Sequence, residues 1–255
     1  DPVASAELYD PETQTWSTTG SMAEPRAAQV MVVLQDGRIM VIGGRSSGRK
    51  DIASAEIYDP DTETWSPAAS MAQARRLHAA TLLQDGRVFV VGGGERFTFW
   101  DSAEVYTPSI DSWSPAGNMD RIRSQHVVTL LGDGRVLVTG GFGDSSLLRT
   151  AELYDPATNS WSSAADMELI IHYHRVLQLK DGRALRVGGF TQGSPSRVLD
   201  AVDVYDPRTN TWTENGTLAI ARQNHTATLL PDGRVLVIAG RDTVNVIAGA
   251  EIYTP

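Results

Sequence analysis

Cysteine is absent from all 255 residues. That removes disulfide frameworks, zinc ribbons, thiol nucleophiles and iron–sulfur clusters, and with them copper radical sites that need a Tyr–Cys crosslink. Basic side chains are in deficit, with 22 Lys and Arg against 31 Asp and Glu for a formal charge of −9. Phosphate binding depends on clustered cations, and only Arg45, Arg49 and Lys50 stand close enough in sequence to form a local basic patch, so a nucleic-acid partner is not expected. No apolar run reaches the roughly 18 residues of a membrane helix, which predicts a soluble chain without a membrane partner. A charged and apolar leader and an initiating Met are both missing. The expectation is therefore a mature, trimmed or excised chain whose compartment is not readable.

What the chain has in quantity is repetition. Ala-(Glu/Asp)-x-Tyr recurs with its tyrosine at Tyr9, Tyr58, Tyr106, Tyr154 and Tyr253, and Val202-Asp203-Val204-Tyr205 supplies a variant copy. The tyrosine spacings are 49, 48, 48, 51 and 48. A tryptophan follows at Trp16, Trp65, Trp113, Trp161 and Trp212, then Met22, Met71, Met119, Met167 and Leu218. Asp-Gly-Arg begins at Asp36, Asp85, Asp133, Asp181 and Asp232, and a Gly-Gly pair at Gly43, Gly92, Gly140 and Gly188, replaced by Ala239-Gly240 in the last copy.

Each unit holds four short apolar or alternating runs, strands a to d. His78 to Leu83 represents a, Arg87 to Val91 b, Ala55 to Tyr58 c, and the residues around Trp65 d. The Asp-Gly between a and b predicts a type I′ hairpin turn, and Asp-Pro-x-Thr between c and d predicts a second turn. No segment carries a helical period. Four strands repeating at about fifty residues predict an all-β β-propeller, with residues 1–255 as one domain. The phases of the two ends leave six copies of c for five of a, b and d. Four blades are then continuous, and the fifth combines His225 to Ile238 with an N-terminal strand d around Trp16 that closes the ring. Val3 to Tyr9 and Ile247 to Tyr253 compete for one strand-c position, so one copy is displaced or docks on another molecule.

Arg-x-x-His, Asp-Gly-Arg-Val-x-Val-x-Gly-Gly, Ala-Glu-x-Tyr-Asp-Pro and Trp-Ser, as they stand here, resemble the Kelch repeat over essentially the whole chain. The resemblance implies a five-bladed Kelch β-propeller with four antiparallel strands per blade. It does not imply one function, because Kelch propellers serve as binding platforms, sugar isomerases and oxidase scaffolds.

The loops from d to a and from b to c share one end of the sheets, the mouth, where composition varies most. Arg26, Arg75, Arg123 and Arg222 stand there just before strand a. They read either as an anion-receiving rim or as structural partners of Glu56, Glu104, Glu152 and Asp203. In Kelch adaptors the arginines at this motif position contact acidic peptides, which is what the resemblance implies for these four. Three residues on come His78, His126, His174 and His225, with Gln29 completing the set. Imidazoles of this number suggest an iron or zinc site, but structural hydrogen bonding is the preferred reading, and no metal or other cofactor is expected.

The fourth repeat departs most from the pattern. Ile171 replaces the rim arginine, His172-Tyr173-His174-Arg175 follows, and Arg186 stands where Val41, Val90, Val138 and Val237 stand. Counting back from Asp181-Gly182 pairs Leu177 with Arg186, which puts Arg175 and Arg186 on one sheet face, where an acid, a ligand or water must meet them. In the second repeat Arg96-Phe97-Thr98-Phe99-Trp100 forms an aromatic loop, and Trp100 is the one tryptophan outside the repeat. It reads as a stacking surface or interface anchor, or as a lid on its own loop.

Three functions follow. The first is a binding propeller that recognises an anionic peptide or small ligand at the mouth, with the arginine rim, Arg96 and Trp100 as contacts. The second is an enzyme centred on the fourth repeat, with His172, Tyr173 and His174 in acid–base roles and Arg175 or Arg186 holding an anion. It resembles in outline the Kelch sugar isomerases and the iron-dependent specifier proteins, although the Glu-x-x-x-Asp-x-x-x-His motif of the latter is missing. The third is a scaffold, a fragment of a longer array, with self-association through the surplus strand. The residues favour the non-catalytic binding reading.

Overall fold

A computed structural model describes the chain except for residues 97, 145, 193 and 194. It divides into two compact units, Asp1–Ala116 and Gly117–Pro255. The first contains β1 (Glu7–Asp10), β2 (Thr15–Thr18), β3 (Val30–Val33), β4 (Ile39–Ile42), β5 (Ala55–Asp59) and β6 (Thr64–Ala68). It continues with β7 (Ala79–Leu82), β8 (Val88–Val91), β9 (Gly94–Glu95), β10 (Thr98–Phe99) and β11 (Ser102–Thr107), a 3-10 turn at Pro108–Ile110, and β12 (Ser112–Asn118), which runs across the boundary.

The second unit contains β13 (Val127–Leu130), β14 (Val136–Thr139), β15 (Ala151–Asp155), β16 (Ser160–Ala164), β17 (Ile171–His172), β18 (Arg175–Gln178) and β19 (Ala184–Val187). After these come β20 (Phe190–Thr191), β21 (Arg197–Val198), β22 (Ala201–Asp206), β23 (Thr211–Thr217), β24 (Thr226–Leu229), β25 (Val235–Ile238) and β26 (Ala250–Tyr253).

Strands a to d are found in order in four antiparallel sheets, β3-β4-β5-β6, β7-β8-β11-β12, β13-β14-β15-β16 and β18-β19-β22-β23. Among the described residues no closed sheet joins the terminal copies. β26 takes the strand-c place beside β25 in a three-stranded sheet, while β1 and β2 pair with each other. The N-terminal hairpin keeps the Tyr9↔Trp16 register but leaves Tyr9 49% and Trp16 66% exposed, whereas Tyr58, at the same repeat position, is 2% exposed.

The turn between a and b is not type I′. Of each Asp-Gly pair only the glycine has positive φ, 88° at Gly37 and 84° at Gly86. Leu34 and Arg38 close the loop through Leu34 N–H to Arg38 O at 2.8 Å, and Gly37 N–H reaches Leu34 O at 3.1 Å. This is the longer hairpin loop that ends in a left-handed residue. Asp36 holds it, accepting Arg38 N–H on Oδ1 at 3.1 Å and Arg38 Nε on Oδ2 at 2.9 Å. One residue is thereby added to every a–b connection, so Val176, not Leu177, faces Arg186.

Apolar faces of successive sheets pack on one another within each unit. Val32, Ile42 and Ile57 meet Val88 and Val90 in the first, and Val187, Val202 and Val204 meet Val235 and Val237 in the second. Tryptophans of strand d tie each sheet to the repeat before it. Trp65 Nε1 donates to Gly20 O at 2.8 Å, Trp113 to Ala69 O at 2.7 Å and Trp212 to Ala165 O at 3.0 Å.

The histidines explain the Gly-Gly pair. A Cβ on Gly43 would lie 2.9 Å from His78 Cε1 of the next repeat, and a Cβ on Gly93 would lie 2.6 Å from His78 Cβ. Gly140 and Gly189 enclose His174 in the same way, and Gly188 and Gly240 enclose His225. The first glycine admits the ring of the following repeat and the second admits the backbone that carries it. Gly43 and Gly93 also hold φ of 59° and 74°, which no side chain adopts cheaply.

Burial pushes His78 and His174 down to about 3 and His225 to about 4, reinforced by Arg75 beside His78, by Arg186 and Arg175 beside His174, and by Arg175 and Arg222 beside His225. The unfolded chain takes up these protons near pH 6.5 and the folded chain only far below it, so stability falls as pH drops from about 6.5 towards 4, by up to about 1.4 kcal/mol per pH unit for each histidine. Urea denaturation across that range should show the slope. His78→Gln and His225→Gln, which install the residue found at Gln29, should flatten it, and an unchanged slope in both variants would refute the assignment.

Candidate functional site

The four rim arginines do not form an accessible rim. Arg26, Arg75, Arg123 and Arg222 are 2%, 0%, 0% and 1% exposed, and each is committed inside its own blade. Arg123 Nη1 donates to Gly140 O and Thr150 O, both at 2.9 Å, and its Nη2 donates to Thr150 Oγ1 at 2.8 Å and to Glu152 Oε1 at 2.9 Å. Glu152 Oε2 accepts Asp120 N–H at 2.6 Å. Arg26 pairs with Glu56 at 2.9 Å, Arg75 with Glu104 at 3.1 Å and Arg222 with Glu251 at 2.6 Å. The guanidinium fork thus clamps the d–a loop to the end of strand b and the start of strand c. Each guanidinium is directed at carbonyl, hydroxyl and carboxylate oxygens inside the fold and is closed off from solvent, so it does not face a ligand anion.

In the fourth repeat the same clamp is built from another position. Arg186, 1% exposed on β19, donates Nη1 to Gly188 O at 2.8 Å and Nε to Asp203 Oδ2 at 2.7 Å. Gly188 and Asp203 are the repeat equivalents of Gly140 and Glu152, so the guanidinium has moved from the loop to strand b while keeping its two partners. Ile171 fills the vacated slot and is 1% exposed.

Register places Arg175 opposite Val187, on the other sheet face from Arg186, and its Nε donates to His225 O at 2.9 Å. His174 is fully buried with Nε2 3.1 Å from Thr139 Oγ1. His172 is half-buried and Tyr173 is 38% exposed, and their rings meet edge-on at 4.3 Å. His172, Tyr173, His174, Arg175 and Arg186 are therefore distributed over three environments and do not converge. Nor do His78, His174 and His225, which pack between repeats, or His126, which packs on Gly141. Among the described residues no group of three or more His, Asp or Glu side chains is placed to hold a metal.

In the mouth loops of the first unit three arginines gather around one buried acid. Asp51 is 2% exposed and occupies a bridge position filled by Leu147, Val198 and Val246 in other repeats. Around it stand Arg76, with Nε 3.2 Å from Oδ1, and Arg45, with Nε 3.7 Å from Oδ1. Arg96 donates its backbone N–H to Oδ2 at 2.6 Å, and Arg76 Nη2 donates to Arg96 O at 2.8 Å. One buried carboxylate so organises three arginines whose outer faces reach solvent, leaving the cluster positive. Desolvating Asp51 requires this company. Trp100 is folded back on the same loop, with Nε1 on Ala74 O at 3.1 Å and its N–H on Gly93 O at 2.8 Å, which matches a lid more than a free stacking surface. Phe97 of the aromatic loop lies outside the described residues.

Sequence reasoning named Arg96 and noticed Arg45, but missed Arg76 and Asp51. The signal was present: an acid in a slot that is apolar in other repeats, and a second arginine after Arg75 where the other copies read Ala27, Ser124, His172 and Gln223.

These features define an all-β repeat protein whose blades are clamped at the mouth by Arg–carboxylate pairs and joined by Gly–His packing. The Kelch motif matches residues 28–72, 75–120 and 123–168, and the chain belongs to the Kelch family. A solved structure described as "Structure of YjhT" has a similar fold, with a TM-score of 0.78 at 14% identity over 100% of this chain and 95% of that one. No curated protein matches the sequence. No helix among the described residues is long and apolar enough to cross a membrane.

The relocated clamp makes a specific prediction. Arg186→Val leaves Asp203 short of its partner and should cost about 3 kcal/mol. Adding Ile171→Arg should recover most of that loss, because the loop arginine of the other repeats reaches the same two acceptors. A double-mutant cycle by chemical denaturation measures the coupling, and purely additive effects would rule out the exchange.

Proposed function

We propose that the chain is a non-catalytic interaction propeller that takes an anionic peptide or small ligand at the mouth loops of its first unit. The observation that carries this reading is the cluster of Arg45, Arg76 and Arg96 held over buried Asp51. Guanidinium groups offer paired donors to carboxylate or phosphate, and here those of Arg76 and Arg45 stand 3.2 and 3.7 Å from the buried acid while Arg96 is tied to it by its backbone N–H. Binding to a short acidic peptide, with citrate as a non-peptide probe, should weaken about a hundredfold in the Arg45→Ala, Arg76→Ala, Arg96→Ala triple variant and fall steeply with added salt. Arg75→Ala should by contrast lower stability, since it opens a clamp. Unchanged affinity in the triple variant would dismiss the site.

The same proposal includes five blades closed by the N-terminal strand. What supports it is that the last sheet lacks a strand d, while β2 carries Trp16, the residue that marks strand d elsewhere. In a chain without cysteine, Ser17→Cys with Ile252→Cys tests the pairing directly, because the equivalent residues Ile57 and Ser66 face each other in β5 and β6. A disulfide within one chain on a non-reducing gel is expected. A disulfide between chains, or none, would count against closure.

A further inference from the structure

Two positions beside the arginine clamp vary together from repeat to repeat. One lies two residues after Met22 and its equivalents, the other two residues before the clamp's carboxylate. Taken as pairs they are Glu24 with Ser54, Gln73 with Ser102, Arg121 with Thr150, Leu169 with Ala201 and Ile220 with Gly249. In the first two pairs an acceptor meets a hydroxyl. Ser54 Oγ–H donates to Glu24 Oε2 at 2.6 Å, and Ser102 Oγ–H donates to Gln73 Oε1 at 2.6 Å, which also accepts Arg75 Nη2 at 3.0 Å. In the last two the hydroxyl is gone and its companion is aliphatic.

The third repeat follows neither rule. Thr150 keeps the hydroxyl, and its Oγ1 accepts Arg123 Nη2 at 2.8 Å, as Ser54 and Ser102 accept Arg26 and Arg75 at 3.0 and 2.8 Å. Arg121, however, is a second donor and supplies no oxygen. Among the described residues its one partner is the exposed Asp120 at 3.7 Å, and Thr150 Oγ1–H reaches no acceptor. In place of a covering acceptor there is a groove of about 530 Å³ between the d–a loop and strands β15 and β16, lined among others by Arg121, Thr150, Trp161, Ser162 and Asp166. Two donors thus face one groove in a position where the first two repeats put an oxygen.

We propose that this groove is a carboxylate site, in which one ligand oxygen accepts the hydroxyl of Thr150 and the guanidinium of Arg121 closes on the other. The site lies wholly in the second unit and does not draw on Arg45, Arg76 or Arg96. Arg123 stays buried and acts through Thr150: by filling a lone pair of Oγ1 it leaves the O–H directed away from the clamp. Arg121 favours a carboxylate over a carboxamide, because a charge-assisted bond is the stronger one. Of the acids lining the groove, Glu152 is paired with Arg123 and Asp166 with Arg149 at 3.4 Å, which leaves Arg121, held loosely by Asp120, as the cation a ligand can recruit. Trp161 offers an apolar wall to the carbon that carries the carboxylate. A free monocarboxylic acid and the acidic side chain of a peptide both present that group.

Acetate and acetyl-Glu-amide probe the two sources, with acetamide as the neutral shape. In proton–nitrogen NMR of the full chain, the indole N–H of Trp161, assigned by loss of its signal in Trp161→Phe, should shift saturably with the acids and bind acetamide at least about tenfold more weakly. The tighter of the two acids identifies the source. Arg121→Gln installs the residue of the second repeat, whose own carboxamide should take the acceptor's place. Its thermal midpoint should stay level or rise while acid affinity falls about tenfold or more. Thr150→Val should lose binding and Thr150→Ser should keep it. An unmoved Trp161 signal in the unmodified protein, equal binding of acetamide, or undiminished affinity in Arg121→Gln or Thr150→Val overturns the site. The Arg45→Ala, Arg76→Ala, Arg96→Ala variant should give the same Trp161 titration as the unmodified protein, so the two sites stand or fall separately.

Discussion

In four repeats the mouth loop depends on a guanidinium buried between two carbonyls and a carboxylate, and in the fourth repeat Arg186 makes the clamp with Gly188 O and Asp203. Leaving any of those groups unpaired in the interior would cost more than the interaction itself yields, so the loop has one low-energy position. Everything at the mouth is built on that fixed point. The residue after the clamp is free to bridge to the b–c loop, the next one reverses the chain, and the histidine beyond it lies between the first glycine of the preceding repeat and the second glycine of its own. Lowered proton affinity at Arg75 and Arg123 is the electrostatic mark of this burial.

Much of the fold could be read from the residues. The repeat of Tyr, Trp, Asp-Gly-Arg and Gly-Gly predicts four strands and their order, and the four complete sheets follow it. Less visible was the extra residue in the a–b turn, because Asp-Gly is compatible with two loop lengths and only backbone geometry separates them. That one residue moved Arg186 to the opposite face from Arg175 and dissolved the charge pair expected on the fourth repeat. The arginine rim was misplaced for a related reason: spacing identifies equivalent residues but does not say whether their side chains turn inward. Pairing with the repeated acids was the open alternative, and the structure supports it for Glu56, Glu104 and Glu152, with Glu251 serving Arg222 and Asp203 serving Arg186.

Departures from the repeat divide into two kinds. Ile171 with Arg186 is a compensated exchange, in which both members change and the contacts survive. Asp51 beside Arg76 and Arg45 has no such compensation, and it places a carboxylate where other repeats place Leu147, Val198 and Val246. Only the second kind adds a surface property that the average repeat lacks, and that contrast is the physical basis for locating binding there. Family membership agrees at the coarse level, since Kelch domains mediate protein interactions.

The Gly–His contact is directional, because the glycine of one repeat receives the ring of the next and never the reverse. Complementarity therefore runs as a translation along the chain, and a duplicated unit carries a donor surface at one border and an acceptor at the other, wherever the duplication is cut. Arrays of this kind can lengthen or shorten by unequal recombination without inventing a new interface.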